Sequence, residues 1–146
     1  MIKRAKLSIA AIAAVALAIP INAAQSPSLQ SIYGTWQNEA KTGWIKISDC
    51  ENRTPCGKMT RVSLKPGVSK LDIHNPNSSL RKRPLVGIRL LWGFQRDRNR
   101  WTSGKIYNPQ NGKTYRATLE AIGNGKLKVR GCVGPFCRSQ IWTRAQ

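Results

Sequence analysis

The sequence predicts an all-β protein: a small antiparallel up-and-down barrel of about eight strands, with one long connection around residues 65–84. Three observations carry this. Eight short runs alternate apolar and polar side chains or are rich in β-branched and aromatic residues. Asn111-Gly112 and Asn124-Gly125 stand between such runs, and Asn-Gly is the strongest short hairpin signal. No segment sustains a helical period. Closing a meander of this size removes its exposed edges. The interior is then either filled by side chains or holds one small ligand.

The chain opens with the three parts of a secretory signal peptide, residues 1–24. Lys3, Arg4 and Lys6 form a positive start, and residues 7–21 are apolar apart from Ser8 and Pro20. Pro20 breaks the helix just ahead of Ala23 and Ala24, after either of which cleavage is expected. The apolar stretch is short for a membrane span, which needs roughly 20 residues. An uncleaved anchor is the alternative. No second apolar run follows, so residues 25–146 read as one domain with no transmembrane span, located in the periplasm or secreted.

The runs follow in order. Residues 33–38 form the first, and 44–48 the second, with Ile45 and Ile47 on one face and Trp44 on the other. Trp44 is either the other wall of the barrel or an exposed binding aromatic. In 57–64, Thr60, Val62 and Leu64 alternate, and in 86–94, Ile88, Leu90, Trp92 and Phe94 share a face. Residues 96–99 are a polar turn into 100–107. The run 113–122 puts Tyr115, Ala117, Leu119 and Ala121 inward, with Arg116, Thr118 and Glu120 outward. Leu127 and Val129 mark 126–130, and 138–144 is the last run. The 65–84 connection is rich in Pro, Asn and Ser and has room for a short helical turn. Ordered loops of that length are often functional.

Cys50, Cys56, Cys132 and Cys137 are an even set in an exported domain, which reads as disulfides. Three connectivities are open. The pairing Cys50–Cys56 and Cys132–Cys137 is favoured because each pair brackets a turn-like insert between two strand-like runs. Facing residues of a hairpin lie within disulfide reach, about 4.5–5.5 Å at Cα. The spacings do not match a zinc ribbon and the one His is remote, so no metal and no cofactor is expected.

Charge narrows the function classes. The chain has 25 Lys and Arg against 6 Asp and Glu. Removing the three basic residues of the signal leaves 22 against 6, a net charge of +16. In the cytosol such a balance would indicate nucleic acid. In an envelope the commoner anions are lipid head groups and phosphorylated polymers. A small amphipathic ligand or an anionic envelope polymer is therefore the expected partner, rather than nucleic acid.

Several ordered motifs lie along the chain: Gly34-Thr35-Trp36, Cys56-Gly57-Lys58, Asp72-Ile73-His74-Asn75-Pro76 and Leu80-Arg81-Lys82-Arg83-Pro84-Leu85-Val86-Gly87. Trp101, Gly104-Lys105-Ile106-Tyr107-Asn108-Pro109, Gly112-Lys113-Thr114-Tyr115, Leu127-Lys128-Val129-Arg130-Gly131 and Gln140-Ile141-Trp142-Thr143-Arg144 continue the series. Together they resemble the bacterial exported family called domain of unknown function 2147, over nearly all of the mature chain. That resemblance implies a bacterial envelope protein of unassigned molecular function. The Gly-x-Trp of the first run and the Arg ending the last also resemble the calycin pattern of lipocalins and avidins. This implies that Trp36 plugs one barrel end with Arg144 stacked over it by a cation–π contact. An open sheet or a sandwich is the alternative fold.

Asp72, His74 and Asn75 form the nearest thing to a polar constellation, with Arg81 and Arg83 close in sequence. They are candidate ligand-binding residues, because Arg forks suit phosphate and carboxylate. The competing reading of Asp72 and Asn75 is an Asx-type turn that holds its own backbone. With one His and bridged thiols, no catalytic dyad, triad or carboxylate pair assembles. The expected function is a non-catalytic envelope binding module for a small apolar or amphipathic ligand. A charge-driven structural or interaction protein on envelope polyanions is the alternative. A hydrolase or transferase using Asp72 and His74 is third.

Overall fold

The computed structural model describes residues 29–146; the predicted signal peptide, 1–24, lies outside the described residues. Nine strands follow a short 3-10 turn, Leu29–Ile32. They are β1 (Gly34–Gln37), β2 (Gly43–Asp49), β3 (Pro55–Val62), β4 (Arg89–Trp92), β5 (Gln95–Asp97), β6 (Arg100–Asn108), β7 (Lys113–Gly123), β8 (Lys126–Val133) and β9 (Phe136–Arg144). Every pairing is antiparallel. β1 pairs with β9, and β4 pairs with β6, so the sheet closes on itself. β4 and β5 occupy one position around the wall. Both lie against β6, β4 at Lys105–Ile106 and β5 at Arg100–Thr102, with Gly93 between them at φ +73°. The result is an eight-position up-and-down barrel. No helix among the described residues is long and apolar enough to cross a membrane.

Alternation along the strands fixes what faces inward. On β7, Ala117, Leu119 and Ala121 are buried. Leu127 and Val129 of β8 lie opposite Ala121 and Leu119, as period-two patterning requires. Asn124 and Gly125 join these strands with φ +51° and +65°, the pair of positive angles a type I′ turn demands. The other Asn-Gly differs. Asn111 and Gly112 end a four-residue loop, with the Asn108 carbonyl accepting from both of their N–H groups at 3.3 and 2.9 Å.

Bulges move two other patterns. A register shift where β3 faces Trp44 and Ile45 reverses the parity of β3. Gly57 and Met59 face the core ahead of it, and Val62 and Leu64 return to the core after it. Thr60 therefore leaves the expected alternation. It is exposed and donates to the Trp44 carbonyl at 3.1 Å. A second shift, between Gly57 and Lys58, lets Leu90 and Leu91 both be buried on β4, while Trp92 is only half-buried.

The barrel is full. Trp36, Ile45, Ile47, Leu91, Leu119 and Leu127 are all at or near zero exposure. A Cβ on Gly57 would sit 2.8 Å from Leu91 and 2.9 Å from Ile45. One on Gly104 would overlap the Phe94 ring. Both disulfides form as favoured, Cys50–Cys56 and Cys132–Cys137, with Cα separations of 5.7 and 4.0 Å. Around the 65–84 connection, Leu71 bridges to Pro84, and a 3-10 turn at Ser78–Leu80 is capped by Asn77 accepting from the Ser79 N–H.

Candidate functional site

The connection is tied to the barrel through Asp72, whose side chain is fully buried. Asp72 Oδ1 accepts from the Tyr107 hydroxyl of β6 at 2.6 Å. Oδ2 accepts from Asn75 Nδ2 at 2.7 Å and from Arg83 Nε at 2.9 Å, with a second Arg83 nitrogen at 2.8 Å. The Asp72 N–H donates to the Arg83 carbonyl, and the Asn75 N–H donates to the Asp72 carbonyl. Arg81 Nε donates to the Asn75 carbonyl at 2.8 Å. Four of the five predicted ligand residues thus converge on one network, and each is engaged in it. His74 does not join; it is exposed, and its carbonyl lies where a Cβ on Gly112 would go. That close approach, with Gly112 at φ +68°, fits glycine there and seats the connection on the loop between β6 and β7.

Such a network can hold a backbone and satisfy a buried charge. Proton transfer is harder, because the carboxylate oxygens already accept three side-chain donors and are shielded from solvent. Burial, then the hydrogen bond to Asp72, push the Tyr107 hydroxyl up to about 12; burial and Asp49 do the same to Tyr33. Both phenols are acids whose folded pKa exceeds the ordinary 10, so the unfolded chain loses these protons first. Their contribution is complete below pH 10 and fades as pH rises from 10 towards 12. An alkaline spectrophotometric titration should show Tyr33 and Tyr107 ionising late, and a Tyr107→Phe variant should lose one of these two late steps.

Sequence reasoning missed Tyr107. The available signal was a β6 aromatic on the inward face whose hydroxyl must find a partner. At the other end of the barrel, Arg144 lies 4.3 Å over the Trp36 ring centroid and donates to the carbonyls of Tyr33 and Ser31. Trp36 Nε1 donates to the Ile32 carbonyl at 2.7 Å. Trp44 lies on the outer face, half-buried, with Arg61 stacked 3.6 Å from its centroid.

Two shallow depressions open at this second end, one at Asp97–Arg100 and Glu120, the other at Tyr33 and Ile47–Asp49. Among the described residues no cluster of His, Cys, Asp and Glu could hold a metal ion.

The outer face of the sheet carries a second feature. Lys46 of β2 faces Lys58 of β3, which faces Arg89 of β4, and all three are exposed. Lys105 of β6 likewise faces Arg116 of β7. Among the described residues the ion pairs are Arg83–Asp72 and Arg100–Asp97, so no acid neutralises this row.

Residues 34–144 match the sequence profile of a family described as "Uncharacterized protein conserved in bacteria (DUF2147)". Among solved structures the chain is similar to protein HP1028 from the human pathogen Helicobacter pylori, described as belonging to the lipocalin family. The TM-score is 0.67 at 22% identity, over 78% of this chain and 82% of that one. No curated protein matches.

Proposed function

Because the chain belongs to the DUF2147 family of uncharacterized bacterial proteins and its lipocalin-like barrel is filled, we propose that it is an exported, non-catalytic envelope module that binds polyanions through its outer surface. The Lys46, Lys58 and Arg89 row carries this reading. Like charges directly opposite on neighbouring strands are destabilising. Three exposed cations in register, with no acid among them, therefore carry a cost in the free protein that an anionic partner offsets. Two disulfides suit the oxidising compartment beyond the inner membrane. Buried side chains line the interior, which favours the surface near the 65–84 connection as the place for a small amphipathic ligand. Hydrolase or transferase chemistry finds little support: Asp72 is shielded, His74 is on the surface, and no hydrogen bond joins them among the described residues.

Binding to one defined polyanion should weaken steeply between roughly 50 and 200 mM salt. The variant K46Q/K58Q/R89Q should lose at least about tenfold in affinity, a few charges' worth of phosphate contact. It should also become more stable, by about 0.2–1 kcal/mol for each relieved pair. A control, K41Q/K65Q/K113Q, removes as much charge from scattered positions and should lose less. Equal losses in the two variants would assign the binding to diffuse charge. Salt-independent binding would sink the electrostatic reading.

A further inference from the structure

Seven large hydrophobic side chains are exposed among the described residues, and two of them form the tip of the β8–β9 hairpin. Val133 is 59% exposed and Phe136 is 80% exposed. They face each other across the two-residue turn Gly134-Pro135. Apolar burial explains neither. The tip is nevertheless held rigidly. Cys132 and Cys137 lie directly opposite and are bonded, Gly134 takes φ +54°, and an Arg116 nitrogen reaches the Gly134 carbonyl at 3.4 Å. The staple fixes the backbone that presents Val133 and Phe136 to solvent.

The charge behind the tip has one sign. β8 and β9 together carry Lys126, Lys128, Arg130, Arg138 and Arg144 and no acidic residue. Arg116 faces Cys132, Arg130 faces Ser139, and Arg138 faces Gly131, so three guanidinium groups stand one to three positions back from Val133 and Phe136. β7 begins and β8 ends at the same end of the barrel. The 65–84 connection reaches that end too, through the close approach of His74 and Gly112, and brings exposed Val68, Leu71 and Ile73.

A small apolar wedge backed by cations matches the boundary of an anionic bilayer. The ring enters the zone between head groups and acyl chains, and the guanidinium groups meet phosphates. A soluble polyanion would use the cations and leave Phe136 in water. We infer that the Val133–Phe136 tip docks this protein onto anionic phospholipid surfaces. This deepens the polyanion reading by naming one surface and one source of negative charge. The anchor is small, so docking is weak and reversible. Loss of the two apolar side chains should reduce affinity about tenfold or more, and loss of one backing cation about fivefold.

The test uses the whole mature protein, phosphatidylcholine vesicles with and without phosphatidylglycerol, and inorganic polyphosphate as the soluble anion. V133S/F136S changes only exposed side chains, and its melting curve reports that the fold is kept. It should lose about tenfold or more on phosphatidylglycerol vesicles and keep its polyphosphate binding. Phe136→Trp adds a reporter: its emission should shift blue on those vesicles and be quenched by brominated acyl chains. If V133S/F136S sediments with anionic vesicles like the parent, or the added Trp stays unquenched, the tip does not insert and only the polyanion reading stands. If the parent ignores polyphosphate yet binds anionic vesicles through Phe136, the tip stands and the general polyanion reading falls. Binding to neither overturns both.

Discussion

Replacing Asp72 by Ala should lower stability by about 3–5 kcal/mol, the cost of stranding the partners of a buried charge. Three side chains lose an acceptor at once, Tyr107, Asn75 and Arg83, and Asn75 Nδ2 keeps only the Tyr107 oxygen at 3.3 Å. Arg83 is 36% exposed and can be rehydrated, which draws the loss towards the lower end of that range. Tyr107 and Asn75 are buried and cannot. Asp72→Asn keeps the shape and one acceptor, so it should cost less. Tyr107→Phe removes the hydrogen bond to the carboxylate, about 1.5–3 kcal/mol, together with the longer one that its oxygen accepts from Asn75 at 3.3 Å. Because these groups share one carboxylate, D72N/Y107F should cost less than the two single changes together. Denaturant unfolding gives the stabilities. Amide exchange adds the location: residues 70–85 should lose protection in Asp72→Ala while β7 and β8 keep theirs. A cost below about 1 kcal/mol would mean that other contacts hold the connection.

How much of this was legible in sequence depends on whether a feature is local. The β7 pattern, the Asn124-Gly125 turn and the two short-range disulfides need only neighbours along the chain, and period two with turn chemistry gives them directly. The bulges in β3 and β4 were hidden. A single extra residue reverses every later side chain, and nothing in 57–64 or 86–94 marks where it falls. Asn111-Gly112 has the composition of a tight hairpin, but the strands to either side begin two residues further apart. In the candidate site, Asp72 and Asn75 were visible as turn residues, whereas Tyr107, more than 30 residues away, was joined to them only by tertiary packing. The Lys46, Lys58 and Arg89 row is invisible for the same reason, since it exists only once three strands take a register. Whether the barrel is filled or hollow is a question of summed volumes that alternation cannot answer.

That last point can be tested by hollowing the barrel. Phe94 is 2% exposed, and its ring occupies the space that a side chain on Gly104 would need, across from Ala117. Phe94→Ala should destabilise the protein by about 3–5 kcal/mol, lost transfer free energy plus an unfilled cavity. A cavity of this kind, lined by apolar side chains, stays dry and accepts a small aromatic molecule. Benzene or indole should then raise the melting temperature of the variant in a saturable way, by mass action on the folded state. The parent should not respond, because its interior has no room. Gly104→Ala alone should cost about 1–3 kcal/mol by overpacking against Phe94. Combined with Phe94→Ala it should cost less than the sum, because the new methyl enters space the ring has left. These outcomes would establish that this lipocalin-like wall encloses a core rather than a binding chamber, leaving the outer surface for recognition. Saturable stabilisation of the parent by the same aromatic probes would mean that the barrel opens in solution, and an apolar ligand held inside would then displace the surface reading.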